Sequence, residues 1–173
     1  MTNALRPEPH VTLRPITAAD REWIIEFLRG GGADFIVTRG RKVYPAQIDG
    51  FCAFDDGDQR VGLITYEIIS NQCEIVTLDA LHKFSGIGTA LIEAVRDTAI
   101  ARGCQRLWLI TTNDNLDAIR FYQRRGFTIA AAHINALAYS RQLKPSIPEI
   151  GLFGIPLRDE IEFEMMLNQS RKV

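Results

Sequence analysis

The stretch Cys73-Glu74-Ile75-Val76-Thr77-Leu78-Asp79-Ala80-Leu81-His82-Lys83-Phe84-Ser85-Gly86-Ile87-Gly88-Thr89 decides the fold. Glu74–Leu78 is rich in β-branched and apolar residues and reads as a buried strand. The glycines at 86 and 88 then turn the chain into a helix whose Ile87, Leu91, Ala94, Val95, Thr98 and Ala99 line one face, with Gly103 as the stop. Arg106–Thr111 follows as a nearly continuous apolar run, expected to be a strand covered on both faces. A strand, helix and strand over 73–111 require a parallel crossover, which is right-handed by default. The first N–H groups of a helix have no internal acceptor, and the dipole favours an anion there. Gly86 and Gly88 keep side chains out of the way of such a ligand. The same pattern also serves as a tight turn with nothing bound, because the third glycine of a dinucleotide fingerprint and the Gly-Lys-Ser/Thr end of a P-loop are missing.

A second helix is predicted from Asn115, a good N-cap, with Asp117 in its first turn and Arg124, Arg125 and Gly126 at its end. Asn115, Ala118 and Tyr122 are spaced i, i+3 and i+7, which puts them on one helix face. Upstream, Val11–Pro15 reads as a strand, and Thr17 with Asp20 opens a helix carrying Trp23, Ile24, Phe27 and Leu28, ended by Gly30-Gly31-Gly32. Phe35–Thr38 and Val43–Gln47 are short strand signals around Arg39-Gly40-Arg41, and Phe51–Phe54 and Val61–Ile69 flank the turn Asp55–Asp58. Downstream, Phe127–Tyr139 is expected as a strand, Arg141–Pro156 as irregular chain and Ile161–Leu167 as a closing strand. The expected fold class is α+β, a mixed and mostly antiparallel sheet with helices on both faces, in one domain spanning 1–173.

Composition excludes several classes. Twenty Lys+Arg against 21 Asp+Glu give a net charge of −1 without long single-sign runs, so neither a nucleic-acid nor a membrane partner is expected. No apolar stretch approaches the ~18 residues of a membrane helix. Cys52, Cys73 and Cys104 are odd in number and widely spaced, which suits buried thiols in a reducing cytoplasm; with three scattered histidines, no metal site is expected.

The paired blocks Lys83-Phe84-Ser85-Gly86-Ile87-Gly88 and Asn115-x-x-Ala118-x-x-Phe121-Tyr122-x-x-x-Gly126-Phe127 resemble the GNAT superfamily of acyl-CoA-dependent N-acetyltransferases. Lys83 stands where that family usually has Gln or Arg, and the loop between Leu78 and Gly86 is about two residues short of the common length. The resemblance implies acetyl-CoA as acyl donor. Backbone groups of Phe84, Ser85, Gly86, Ile87, Gly88 and Thr89 would cradle its pyrophosphate, the strand edge at Leu78–Ala80 would pair with the pantetheine arm, and Asn115, Ala118 and Phe121 would line its far side. The acceptor would be a small-molecule or protein amine, attacked directly in a ternary complex, and a homodimer remains open.

Such chemistry needs a base for an alkyl amine of pKa ~10 and an acid for the departing thiolate. Tyr122 suits the acid, although an aromatic at helical spacing also serves as a core anchor. Glu74 is the candidate base, on a strand where alternation would point Glu74, Val76, Leu78 and Ala80 to one side; Glu67 and a water chain are alternatives. A non-catalytic acyl-CoA-binding module and a nucleotide-binding domain are the rival classes. The segments Trp23–Phe35 and 141–156 fall where the family recognises acceptors, and the second also reads as a packed surface strap.

Overall fold

The computed structural model describes residues 11–30, 34–81 and 85–167. The strands are Thr12–Pro15 (β1), Ile36–Thr38 (β2), Arg41–Val43 (β3), Asp49–Phe54 (β4), Arg60–Ile69 (β5), Gln72–Ala80 (β6), Arg106–Thr112 (β7), Thr128–His133 (β8) and Glu160–Met166 (β9). The helices are Arg21–Gly30 (α1), Ile87–Ala101 (α2), Leu116–Gln123 (α3) and Ala136–Leu143 (α4). Seven strands form one sheet in the order β1-β4-β5-β6-β7-β9-β8, and β2 pairs with β3 as a separate hairpin. Each pairing in the sheet is antiparallel except β6 with β7, the pair joined through α2. This is the expected α+β sheet with its single crossover.

Helices cover both faces. Ile87, Leu91, Ile92, Val95 and Ala99 of α2 are buried against Ala53, Ile64, Tyr66, Ile75, Leu107 and Leu109. At ~1.5–3 kcal/mol for each large side chain taken fully out of water, this face is the main adhesive between crossover and sheet. Gly62 makes the approach possible, since a Cβ there would lie 2.8 Å from Ile87 Cγ2. On the opposite face, Ile24 and Leu28 of α1 bury against Cys52, Phe54 and Leu63. A capping box between Thr17 and Asp20 opens this region as a 3-10 turn that runs into α1. Burial works against the Asp20 carboxylate, but hydrogen bonds from Arg60 and Thr17 outweigh it and hold its pKa below the usual value.

Three sequence expectations change. The segment expected as a strand over Phe127–Tyr139 breaks after His133: Asn135 takes a left-handed conformation (φ 59°) and starts α4, which buries Leu137 and Ser140 three residues apart. Ala136, Leu137, Ala138 and Leu143 are good helix formers, and here they outweigh the β signal of the preceding run. The second short strand is Arg41–Val43 rather than Val43–Gln47, because Pro45 opens a 3-10 turn. Arg39 and Gly40, with φ of 46° and 74°, form the two-residue turn before it, matching the left-handed pair that such hairpins require. Finally, β7 is not covered equally on both faces: Leu107, Leu109 and Thr111 are buried, while Arg106, Trp108, Ile110 and Thr112 are half-buried.

Candidate active site

β6 and β7 pair only from Gln72↔Arg106 to Ile75↔Leu109. Beyond that point β7 continues to Thr112, held by β9, and β6 continues to Ala80, held by β5. The adjacent edges therefore separate inside the sheet, and β6 presents Val76–Ala80 with no strand partner on that side among the described residues. The cause lies in β5–β6. Thr65 stands opposite Thr77 and Tyr66 opposite Ile75, so Val76 is an extra residue that bends the strand.

This bulge also corrects the expected alternation along β6. Leu78 and Ala80 pack toward the α2-side cluster, as do Cys73 and Ile75 before the bulge. Glu74 faces the opposite way, toward the β2–β3 hairpin. Its Oε1 accepts a 2.6 Å hydrogen bond from Thr38 Oγ1 and its Oε2 a 2.8 Å bond from Arg41 Nη2, while Arg41 Nη1 donates to Glu67 Oε2 at 3.0 Å. Glu74 is buried, and burial raises its carboxyl pKa against the opposing pull of Thr38 and Arg41. Alternation assumes an unbroken pleat, so one extra residue reverses every side chain after it.

The start of α2 lies at the open end of this gap. Gly86 adopts a left-handed conformation (φ 85°) as N-cap, and its carbonyl accepts from both Thr89 N and Ala90 N. Those bonds leave the N–H groups of Ile87 and Gly88 to the usual unpaired set of a helix start. Ser85 and Gly88 are half-buried beside them; Phe84, also expected in the cradle, lies outside the described residues. Gly88 has a second role that spacing did not reveal: a Cβ there would stand 3.1 Å from Phe121 Cζ, so its absence lets α3 lie against the first turn of α2.

In α3 the Asn115 side chain accepts from Ala118 N at 3.1 Å, using that oxygen for the expected N-cap. Ala118 and Phe121 are partly buried against the main cluster. Tyr122 is 9% exposed, with Phe121, Phe127 and Phe163 around it at centroid distances of 5.2, 5.6 and 6.1 Å. Burial, and then the negative charge of Asp79, raise the phenol pKa above its ordinary value. The core-anchor reading of Tyr122 is therefore realised in its ring, while its hydroxyl has no hydrogen-bond partner among the described residues.

Sequence reading missed Arg125. At the end of α3 it is an ordinary dipole-complementing cation. In the structure its Nε donates 2.8 Å to Thr89 Oγ1 and its Nη1 donates 2.9 Å to Phe121 O, with the guanidinium 3.4 Å from the Phe121 ring centroid. A fixed positive charge thus stands beside the N–H groups of the first α2 turn. Only the packing of two helices reveals this, since Thr89 and Arg125 are 36 residues apart.

The segments expected to border an acceptor divide. Trp23 and Phe27 stack at 4.8 Å against the second core cluster. Arg141–Leu143 complete α4, and Arg141 then ties the following chain down through Ile147 O, Pro148 O and Leu157 O, as a packed strap would require. On the Glu74 side of the sheet, a cleft of about 560 Å³ opens between the Arg39–Gly40 turn, the end of β8, α4 and Glu160.

A split strand pair with a glycine-opened helix at its mouth defines an acyltransferase-type frame, and residues 19–127 match the family model described as "Acetyltransferase (GNAT) family". The chain belongs to the GNAT acetyltransferase family. It is 47% identical over 122 residues to YdhI and 42% identical over 132 residues to YxbD, both uncharacterised proteins of Bacillus subtilis strain 168; these matches cover 70% and 76% of this chain, and 76% and 82% of the relatives. Among solved structures it resembles an IAA acetyltransferase from Bacillus cereus ATCC 14579, with a TM-score of 0.68 and 22% identity, covering 91% of this chain and 99% of that one. A GNAT family acetyltransferase from Elizabethkingia anophelis with acetyl-CoA bound gives a TM-score of 0.64 at 22% identity, over 91% of this chain and 99% of its own. At these identities the solved structures establish the shared fold. Among the described residues no helix is long and apolar enough to cross a membrane.

Proposed function

We propose that this chain is an N-acetyltransferase that takes the acetyl group of acetyl-CoA to a primary amine in a ternary complex. The observation that carries this reading is the β6 edge at Val76–Ala80, which has no strand partner on its β7 side among the described residues and opens beside the α2 start and Arg125. The frame suits a long ligand with an anionic end. Ile87 and Gly88 N–H groups and Arg125 meet the diphosphate, the β6 edge takes the amide groups of the arm, and the gap passes the thioester through to the Glu74 side. Bound acetyl-CoA supplies a thioester carbonyl activated for acyl transfer.

The chain's own groups then divide the proton work. The free amine forms the new N–C bond as the C–S bond breaks; the amine loses one proton and the departing sulfur gains one. The Tyr122 phenol donates to the sulfur, and its raised pKa keeps that proton in place at any physiological pH. Glu74 is the proposed sink for the amine proton, with Thr38 Oγ1 already bonded to it as the adjoining hydroxyl. N–H groups along the β6 edge face the developing negative oxygen. A cysteine intermediate is disfavoured because burial pushes the Cys73 thiol up to about 12 and the Cys52 thiol up to about 11, which suppresses the thiolate.

Two measurements check this reading. Acetyl-CoA with a broad amine panel should give amine-dependent CoA release and a product 42 Da heavier (roughly one acetyl group in place of hydrogen); binding of acetyl-CoA without transfer to any amine would favour the non-catalytic module. If Glu74 is the base, wild-type kcat falls on the acid side as its carboxyl is protonated. Glu74→Gln then loses that limb and most of its turnover, and an unchanged pH profile would remove Glu74 from the mechanism.

A further inference from the structure

The face of the sheet turned away from α2 is acidic. Glu160, Glu162 and Glu164 alternate along β9 with Ile161 and Phe163, which pack toward α2 and α3. Four of the carboxylates on this face are met by cations: Arg41 bonds Glu67 and Glu74, while Arg106 bonds Glu162 and Glu164 and His133 Nε2 lies 2.7 Å from Glu162. Glu160 is different. It is 3% exposed, its Oε1 is met by Ser140 Oγ at 3.2 Å, and its Oε2 is buried with no hydrogen-bond partner among the described residues. Arg39 Nη1 stands 3.7 Å from that oxygen, outside hydrogen-bond reach, on a side chain that is 41% exposed.

Glu160 lines the 560 Å³ cleft together with Arg39, His133, Tyr139 and Ser140. That volume falls in the usual range for a small-molecule site. An ionised carboxylate only accepts, so whatever completes Glu160 must bring a donor, and a cation completes it best. A buried carboxylate left half-satisfied is costly, which makes the site selective for a ligand that supplies the missing bond. Tyr139, 53% exposed at the rim, offers an aromatic face to the same cation.

Register gives the reach. Glu160 lies opposite Thr112 of β7, and β7 is the strand that separates from β6. One strand spacing of ~4.8 Å separates Glu160 from β7, and the gap opens on the other side of β7, where the pairing with β6 has ended. A cation seated on Glu160 therefore leaves about 5–10 Å to the gap, which an alkyl chain of four to six carbons spans at roughly 6–9 Å between its nitrogens.

The geometry points to Glu160 as the anchor for a second ammonium group of the acceptor, so that the amine substrate is an aliphatic diamine or polyamine held by one nitrogen and acetylated on another. This rests on the acetyltransfer reading, and its test separates the two. Wild type is assayed with 1,5-diaminopentane and spermidine against pentylamine, a chain of matched length lacking the second charge. The diamines should be favoured at least 10-fold in kcat/KM. Glu160→Gln should raise the diamine KM about 10-fold or more, leaving kcat, the KM for acetyl-CoA and the melting temperature near wild type. Arg39→Met acts in the opposite direction, since it removes the competing resident cation and should lower the diamine KM. Equal use of pentylamine by wild type, or an undiminished diamine preference in Glu160→Gln, overturns the assignment. Titration of 1,5-diaminopentane into the protein with CoA present gives an independent readout. Binding that Glu160→Gln abolishes, even with no turnover, supports the anchor while sinking the acetyltransfer reading; no binding to wild type overturns the anchor.

Discussion

Tyr122→Phe should lower kcat about 100-fold or more while changing the KM for acetyl-CoA less than threefold, a loss in the range expected for one general-acid group. The substitution removes a single oxygen from a ring otherwise held by Phe121, Phe127 and Phe163, so the packing that positions α3 survives. The hydroxyl takes part in no hydrogen bond among the described residues, which removes the usual stability cost of deleting a buried phenol oxygen. Burial and the Asp79 charge raise the phenol pKa, so the proton-donating form persists as pH rises. Wild-type turnover should therefore show no alkaline decline from Tyr122 up to pH ~10, the ordinary phenol value. A Tyr122→Phe enzyme with wild-type kcat would leave the residue as a core anchor alone.

The second large effect is expected at the helix start. Gly88→Val puts a branched side chain where a Cβ already meets Phe121 Cζ at 3.1 Å. The ring must move, and the added methyls crowd the Ile87 and Gly88 N–H groups. Losing about two charge-assisted bonds at roughly 1.5–3 kcal/mol each corresponds to a 100-fold or greater rise in the Kd for acetyl-CoA. Arg125→Met should produce a smaller rise, about 10-fold, because the helix N–H groups remain. Thermal unfolding should stay cooperative in both variants, since neither residue belongs to the buried cluster beneath α2. Unchanged acetyl-CoA affinity in both variants would mean that this end of α2 does not meet the diphosphate.

Much of this was legible in the chain because local signals agreed with tertiary need. The glycine turn, the periodic face of α2 and the cap at Asn115 each arise from short-range physics, and together they define the crossover. What escaped has non-local causes. The bulge at Val76 depends on how β5 pairs with β6, and it reverses the face on which Leu78 and Ala80 lie relative to Glu74. Glu74 therefore appeared to neighbour the pantetheine edge, whereas its oxygens engage Thr38 and Arg41 of a hairpin more than 30 residues earlier. Arg125 and Glu160 gain their significance from Thr89 and from the Arg39 turn, partners that no spacing rule connects. In α4, helix propensity in Ala136–Leu143 was masked by the apolar run before it, and a single left-handed residue, Asn135, separates the two.

The gap between β6 and β7 as the seat of acetyl-CoA is the claim on which the rest depends. Isothermal titration of acetyl-CoA into the wild-type protein tests it most directly. Saturable one-to-one binding at micromolar concentration, weakened about 100-fold by Gly88→Val, is the predicted result; no heat of binding at millimolar acetyl-CoA would contradict it.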